Sequence, residues 1–346
     1  MALYEADADL RCIESVSVDV GSNEERFQAV ADFCDKYPQI KVIGHRFVHG
    51  GNLYRQPTLV DDKVLANLNE LAGLAPLHNP PAIQGLKAAR KLYPQAAHVL
   101  VFDTAFHSSL DAAHYTYPLS QDFNKRGFRR WGFHGISYQW SLERTAQLLG
   151  QEADKLCLLV CHLGGGASIC AIKNGTSFDT TMGFTPMEGL MMSSRSGSID
   201  PGIILRLQKD FSPEELDHGL NKESGLLGVS GLSSDMRVIE AAMQNNEQAA
   251  LAHSMYIVSL RKHIFAMAAG LERLDALVFT GGIGFWGSKV REAVCRPNLL
   301  GFALDEECNK NGHGDRLISQ EGSPYRIFCI EAKEELMIGR ACLPFL

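Results

Sequence analysis

Short apolar runs that lead into glycine-rich turns recur along the chain and predict the strands of an α/β fold. In one of these segments two apolar runs flank a single glycine turn, which predicts a hairpin rather than a strand followed by a helix. The segments with a glycine turn are 42–51, 156–175 (the hairpin) and 274–284. Two more apolar runs predict a buried strand in 98–106, which ends at Asp103, and a last strand followed by a terminal helix in 326–343.

Apolar residues spaced three and four positions apart predict amphipathic helices between these strands. The predicted helices are 61–74, 81–93, 200–209 and 246–274. The last is the longest and carries a continuous apolar stripe formed by Ile257, Leu260, Ile264, Met267 and Leu271.

The size and charge of the chain exclude several classes of protein. A length of 346 residues predicts two domains, and 45% hydrophobic with 21% charged residues is typical of a globular protein. The net charge of −7 disfavours a nucleic-acid-binding role, and no apolar run has the length of a membrane span. The acidic N-terminus does not resemble a targeting peptide, and nine cysteines without a CxxC pair favour reduced thiols in the cytoplasm.

Two glycine turns are candidates for phosphate binding, because glycine lets backbone N–H groups approach a phosphate closely. They are His162-Leu-Gly-Gly-Gly166 and Thr280-Gly-Gly-Ile-Gly284. Neither matches the P-loop pattern or the dinucleotide-binding fingerprint. One such turn alone is equally well explained as a tight hairpin, but two turns after apolar strands favour a nucleotide cleft.

Polar residues at the ends of apolar runs form a second group of candidates. A lone arginine is usually a solvated ion pair, and a lone histidine is usually a loop residue with satisfied hydrogen bonds. Several together indicate an anion clamp with an acidic partner, as phosphoryl or carboxylate chemistry requires. The group consists of His45, Arg46, Asp103, His107, His134 and Arg195.

Eight segments of the chain, in order from about Lys41 to the C-terminus, resemble the acetate kinase family. They are GHRFVHGG (44–51), LAPLHNPP (74–81), VFDTAFH (101–107), WGFHGIS (131–137), MGFTPMEGL (182–190), SRSGSIDPG (194–202), SGLLGVSGLSSDMR (224–237) and the EEL after Lys333. The resemblance implies two ribonuclease-H-like domains of the sugar kinase, Hsc70 and actin superfamily around a central cleft. It implies an acyl-side domain of residues 1–107 plus 336–346 and a nucleotide-side domain of residues 108–335.

The resemblance also implies a reaction, in which ATP and acetate give ADP and acetyl phosphate by direct in-line transfer. Catalysis is expected from Asp103, His134 and Arg195, and Mg²⁺ binding from Glu334. The residues expected to bind the substrate carboxylate and its acyl group are Arg46, Val48, Leu77, Phe133 and Pro186. The residues expected to bind the nucleotide are His162, Leu163, Gly164, Gly165, Gly166, Asp235, Met236, Arg237, Gly282, Ile283, Gly284, Phe285 and Trp286. The expected partners are acetate or another short carboxylate, ATP or ADP, and a second copy of the chain in a cytoplasmic homodimer, with neither nucleic acid nor membrane.

The chemistry of the acceptor supports these roles. A carboxylate is ionised at neutral pH, so it needs no general base. We therefore expect Asp103 to orient Mg²⁺ or an arginine rather than to accept a proton. The main barrier is repulsion between two anions, which two arginines, a histidine and Mg²⁺ reduce.

The chain also departs from the family pattern, chiefly on the nucleotide side. The family's Asn-x-Gly-Ser-Ser-Ser-x-Lys segment is not found before Lys41, and we expect the first domain to be incomplete without it. Gly165 replaces the asparagine of HLGNG, Phe285-Trp286 replace the Glu-Asn of GIGEN, and Lys333 replaces an asparagine. Three alternatives follow: an active acetate kinase, a catalytically impaired or truncated paralogue, and a propionate or butyrate kinase.

Overall fold

The computed structural model describes residues 1–5, 10–16, 23–75, 78–296 and 299–346, which form two compact units. The first unit contains Met1–Ser108, Gly135–Trp140 and Lys333–Leu346. The second contains Ser109–His134 and Ser141–Ala332. Both units mix helices with a sheet, which confirms the α/β class.

The strands and helices of the described residues are as follows. The strands are β1 Ala2–Tyr4, β2 Cys12–Ser15, β3 Val42–Phe47, β4 Thr58–Leu59, β5 Ala97–Phe102, β6 Leu158–Leu163, β7 Ala167–Lys173, β8 Thr176–Thr180, β9 Ala276–Thr280, β10 Arg316–Leu317 and β11 Arg326–Cys329. The α-helices are α1 Asn23–Asp35, α2 Asp62–Leu71, α3 Asn79–Leu92, α4 Ala112–Tyr115, α5 Gln121–Asn124, α6 Gly135–Leu149, α7 Pro201–Leu207, α8 Pro213–Lys222, α9 Gly225–Ser230, α10 Met236–Ala242, α11 Glu247–Ala268, α12 Gly281–Trp286, α13 Ser288–Cys295, α14 Glu306–Asn311 and α15 Glu334–Cys342.

The first unit is built on a three-stranded sheet in the order β3-β5-β4. β3 and β5 are parallel, so their carboxyl ends lie at the same edge of the sheet. On one side of the core α2 buries Val64, Leu68 and Leu71. The side chain of Asp61 accepts the backbone N–H of Val64 and begins this helix.

The second unit is built on a six-stranded sheet in the order β10-β11-β9-β6-β7-β8. β6 and β7 pair antiparallel from Leu158↔Ile172 to Leu163↔Ala167, which confirms the predicted hairpin. β6, β9 and β11 are parallel, so the turns after β6 and β9 leave the sheet at the same edge.

The longest described helix, α11, lies where the sequence predicts it, although it is shorter than predicted. Asn246 caps its first turn by accepting the backbone N–H of Ala249. Ile257, Leu260 and Ile264 are buried as the stripe predicts, whereas Leu271 lies beyond the helix end at Ala268.

The glycine segment after β9 forms a short helix rather than the predicted glycine turn. Gly281 has a φ of +76°, which reverses the chain after the strand, and residues 281–286 then form the short helix α12. A Cβ at Gly281 would lie 2.7 Å from the carbonyl oxygen of Leu163, so glycine is required there for close packing as well.

Candidate active site

In the first unit Arg46 and Asp103 form an ion pair at the carboxyl ends of two parallel strands. Arg46 Nε donates to Asp103 Oδ1 at 2.9 Å, and Nη2 donates to Oδ2 at 2.7 Å. Asp103 directly follows β5 and its backbone N–H donates to the carbonyl of Phe47, which places it beside Arg46. This two-point geometry fixes the plane of the guanidinium group.

Glu334, the first residue of α15, is a second carboxylate on the same guanidinium. Its Oε2 accepts from Arg46 Nη1 at 3.2 Å, while its Oε1 is buried without a hydrogen-bond partner. Burial raises the pKa of Glu334, Arg46 opposes this shift, and Asp103 reinforces it. Asp103 in turn raises the pKa of Arg46, so the guanidinium stays charged.

These residues offer few ligands to a metal ion, but they are enough for the way in which Mg²⁺ commonly binds proteins. Among the described residues, no group of three or more His, Cys, Asp or Glu side chains is arranged to hold a metal ion. Mg²⁺ commonly binds proteins through one or two carboxylates and completes its octahedral shell with water and phosphate oxygens. The unpartnered Oε1 of Glu334 fits that mode of binding.

In the second unit His134 and His162 stack with their ring centroids 4.2 Å apart. His134 Nδ1 lies 2.8 Å from Ser168 Oγ, and Ser168 faces His162 across the β6–β7 pair. His134 has a φ of +60°, an uncommon conformation for a residue with a side chain. The hairpin therefore places one histidine and one hydroxyl group against the ring of His134.

Arg195 reaches the same glycine turn. A Cβ added at Gly166 would lie 3.4 Å from both Arg195 Nη1 and His134 Nε2, so these two nitrogen atoms converge above Gly166. Arg195 Nη1 also donates to the carbonyl of Pro186 at 3.2 Å. Burial lowers the pKa of Arg195, which still leaves an arginine protonated at neutral pH. The cluster thus places a guanidinium nitrogen and a histidine ring nitrogen beside the glycine turn.

The two glycine segments begin on neighbouring strands, since His162 pairs with Thr280. β6 ends at Leu163, and the turn that follows it begins at Gly164. This turn is tight because the N–H of Gly164 donates to the carbonyl of Gly166 at 3.0 Å. Gly165 is exposed, and a Cβ added there would meet no atom within 4 Å. The backbone N–H groups of this turn suit an anionic ligand.

In α12, a Cβ added at Gly282 would likewise meet open space, and Ile283 and the buried Gly284 follow it. Phe285 is buried and packs against Trp286, whereas Trp286 is 74% exposed. The ring of Phe285 therefore lies in the core, and of these two residues Trp286 is the one that presents an aromatic face to solvent.

The remaining predicted residues lie as follows. Asp235 and Arg237 form an ion pair at the start of α10, with Nη2 of Arg237 2.6 Å from Oδ2 of Asp235, and Met236 between them is buried. Val48 follows β3 in the first unit and is half-buried. Phe133 and Pro186 belong to the second unit, and Leu77 lies outside the described residues.

Sequence reasoning missed three polar residues that contact one another in the second unit: Tyr117, Arg130 and Glu188. Glu188 lies inside one of the segments that carry the family resemblance, and that position was the one signal that could have pointed to it. The pairing depends on segments far apart in the sequence, so no local pattern reveals it.

Known proteins are similar to the chain along most of its length. Residues 17–340 match the model of the acetokinase family. The chain is 48% identical over 319 residues to an acetate kinase of Synechococcus sp. (strain JA-2-3B'a(2-13)), covering 91% of this chain and 79% of the relative. It is 47% identical over 311 residues to an acetate kinase of Protochlamydia amoebophila (strain UWE25), covering 89% and 78%.

Solved structures give the same result. The fold is similar to Porphyromonas gingivalis acetate kinase, with a TM-score of 0.85, 39% identity and coverage of 92% of this chain and 84% of that one. It is also similar to a propionate kinase from Francisella tularensis, with a TM-score of 0.87, 35% identity and coverage of 94% and 85%.

Proposed function

The chain belongs to the acetokinase family, and we propose that it transfers the γ-phosphoryl group of ATP to acetate. A carboxylate oxygen of acetate forms a bond to the γ-phosphorus, and the bond from that phosphorus to the β–γ bridging oxygen breaks. The products are acetyl phosphate and ADP, and no proton transfer is required. The observation that carries the proposal is the family match along nearly the whole chain.

Arg46 is proposed to bind the carboxylate of acetate. Its bonds to Asp103 and Glu334 use three of the five guanidinium N–H donors, which leaves donors for a ligand carboxylate. Both oxygens of Asp103 accept from Arg46, so its proposed role is to hold that arginine rather than to take a proton.

His134 and Arg195 are proposed to stabilise the phosphoryl group during transfer. Their nitrogen atoms converge over Gly166, and phosphoryl transfer depends mainly on positioning and on neutralising charge on the equatorial oxygens. The nucleotide is proposed to contact the turn from His162 to Gly166, the segment from Gly282 to Trp286, and the start of α10 at Asp235–Arg237.

Glu334 is proposed to hold Mg²⁺ through its unpartnered Oε1. When bound, the ion would neutralise charge on the phosphate oxygens of ATP. Glu334 itself stays oriented by Arg46, which fixes its other oxygen.

A propionate kinase activity is the second candidate, because one of the similar structures is a propionate kinase. Val48, Leu77, Phe133 and Pro186 are the proposed contacts with the acyl group, and their combined volume would decide between acetate and longer acids. One extra methylene group changes such discrimination by roughly 10- to 200-fold.

We further propose that the protein is a cytoplasmic homodimer. The described buried cysteines, such as Cys161 and Cys170, carry free thiols, as expected in a reducing compartment. Leu251, Met255 and Val258 form an exposed apolar stripe on α11, which suits a second copy of the chain. No described helix is both long and apolar enough to span a bilayer. The net charge of −7 disfavours nucleic acid as a partner.

A hydroxamate-trapping assay with ATP, Mg²⁺ and either acetate or propionate tests the activity. We expect turnover with acetate that falls by about 100- to 1,000-fold in Arg195→Ala, the usual effect of losing one transition-state donor. Absence of acyl phosphate with both acids would refute the kinase function and favour a catalytically impaired paralogue.

A further inference from the structure

The carboxylate of Glu188 joins three segments of the second unit. Arg130 Nη2 donates to its Oε1 at 2.7 Å, and the hydroxyl group of Tyr117 donates to its Oε2. The same hydroxyl oxygen accepts the backbone N–H of Phe184 at 2.8 Å. We call Tyr117, Arg130 and Glu188 the Glu188 cluster.

The first consequence concerns the segment that leads to His134. Nη1 of Arg130 donates to the carbonyls of Thr180 and Thr181 at 3.0 and 3.2 Å. The N–H of the next residue, Trp131, donates to the carbonyl of Gly183 at 3.0 Å. The backbone that carries Phe133 and His134 is therefore anchored only a few residues before them.

The second consequence concerns the segment that carries Pro186. Pro186 lies between Phe184, whose N–H donates to Tyr117, and Glu188, which belongs to the cluster. The carbonyl of Pro186 accepts from Arg195 Nη1. A Cβ at Gly183 would overlap both the Tyr117 hydroxyl group and Glu188 Oε2, so the chain approaches the cluster as closely as glycine allows. A shift of this segment would move Pro186 and the acceptor that orients Arg195.

The cluster is half-buried, with exposed side-chain fractions of 18% for Arg130 and 32% for Glu188. Burial and the bond to Glu188 raise the pKa of Tyr117, so its hydroxyl group keeps its proton and remains a donor. Charge-assisted hydrogen bonds of this kind are about twice as strong as neutral ones, which suits a role in fixing geometry.

We propose that Glu188, through Tyr117 and Arg130, is a positioning residue for the acyl and phosphoryl side of the site. It holds Pro186 for the acyl group and Arg195 for the phosphoryl group without touching substrate. This inference rests on the proposed kinase function.

The test is steady-state kinetics of Glu188→Gln and Tyr117→Phe, in both reaction directions, with acetate and propionate. A displacement of about 1 Å can cost about 100-fold in rate, so we expect kcat to fall by about 10- to 100-fold in Glu188→Gln. The KM for acetate should rise several-fold and the acetate-to-propionate preference should change, while the KM for ATP stays within twofold. The double variant should lose less than the product of the single effects, since both residues act in one network.

Glu272→Gln is the matched control, because Glu272 is an exposed carboxylate that pairs with Lys173 at 2.7 Å in the same unit. It should leave every kinetic constant unchanged. Wild-type kinetic constants in Glu188→Gln, or a uniform loss that tracks a lower melting temperature, would overturn the positioning role. Absence of turnover in the wild type would instead overturn the proposed function itself.

Discussion

The free energy of unfolding should fall by different amounts when Arg46 or Asp103 is removed from the ion pair that they form. The side chain of Asp103 is 2% exposed, whereas that of Arg46 is 39% exposed. Removing Asp103 leaves a cation that solvent can reach. Removing Arg46 leaves a buried carboxylate that has lost two donors, at 2.9 and 2.7 Å, and also removes the donor to Glu334.

These contacts set the expected losses in the free energy of unfolding. Breaking a buried pair so that one charge stays uncompensated costs about 3–5 kcal/mol. We therefore expect Arg46→Met, which keeps most of the stem volume, to lower the free energy of unfolding by about 3–4 kcal/mol. Asp103→Asn keeps one acceptor oxygen and loses about one charge-assisted bond, so we expect a loss of roughly 1–2 kcal/mol.

Urea unfolding at neutral pH, followed by circular dichroism, measures both values. Lys36→Met is the control, because Lys36 pairs with Glu14 at 3.1 Å with its side chain 58% exposed, and such pairs contribute about 0–1 kcal/mol. Equal losses in the two variants, or a larger loss in Asp103→Asn, would refute the argument from burial.

Three further predictions concern other parts of the fold. Gly165→Asn should keep the melting temperature within about 2 °C of the wild-type value, because its Cβ meets open space, and it should lower the KM for ATP. An unchanged or higher KM for ATP would show that the added amide does not contact phosphate. Ile264→Asp should lower the free energy of unfolding by about 4 kcal/mol, since Ile264 is 1% exposed, whereas Lys262→Asp on the exposed face should change it little. Burial lowers the pKa of His45 to about 3, so between about pH 6.5 and 3 the unfolded chain binds a proton that the folded chain does not. The free energy of unfolding should therefore fall by up to about 1.4 kcal/mol per pH unit as the pH drops through that window, and His45→Gln should reduce this slope in acid denaturation curves.

Local patterns were sufficient for two elements. The β6–β7 hairpin follows from two apolar runs around one glycine turn, and the buried residues of α11 follow from apolar residues spaced three and four positions apart. The end of α11 did not follow, because the apolar spacing continues to Leu271 although the helix stops at Ala268. A Cβ at the following Gly270 would meet the ring of Phe178 at 2.4 Å, a tertiary contact that the spacing does not encode.

The candidate site was predictable from the sequence where its polar residues lie at the ends of strands. Arg46 and Asp103 end two parallel strands, and that edge position is readable from the sequence. The contact of Glu334 with Arg46 joins residues 288 positions apart, and the Glu188 cluster joins segments about 60 to 70 positions apart. Such pairings depend on how the chain folds back on itself, so only the structure reveals them.

The proposed reaction of this chain makes acetyl phosphate from ATP and acetate. The most direct measurement is ³¹P NMR of the purified chain with ATP, Mg²⁺ and acetate, with Arg195→Ala as the control. We expect an acetyl phosphate resonance that grows together with ADP in equal amounts in the wild type and grows much more slowly in the variant. ADP accompanied only by inorganic phosphate, or an acetyl phosphate signal that Arg195→Ala leaves unchanged, would contradict it.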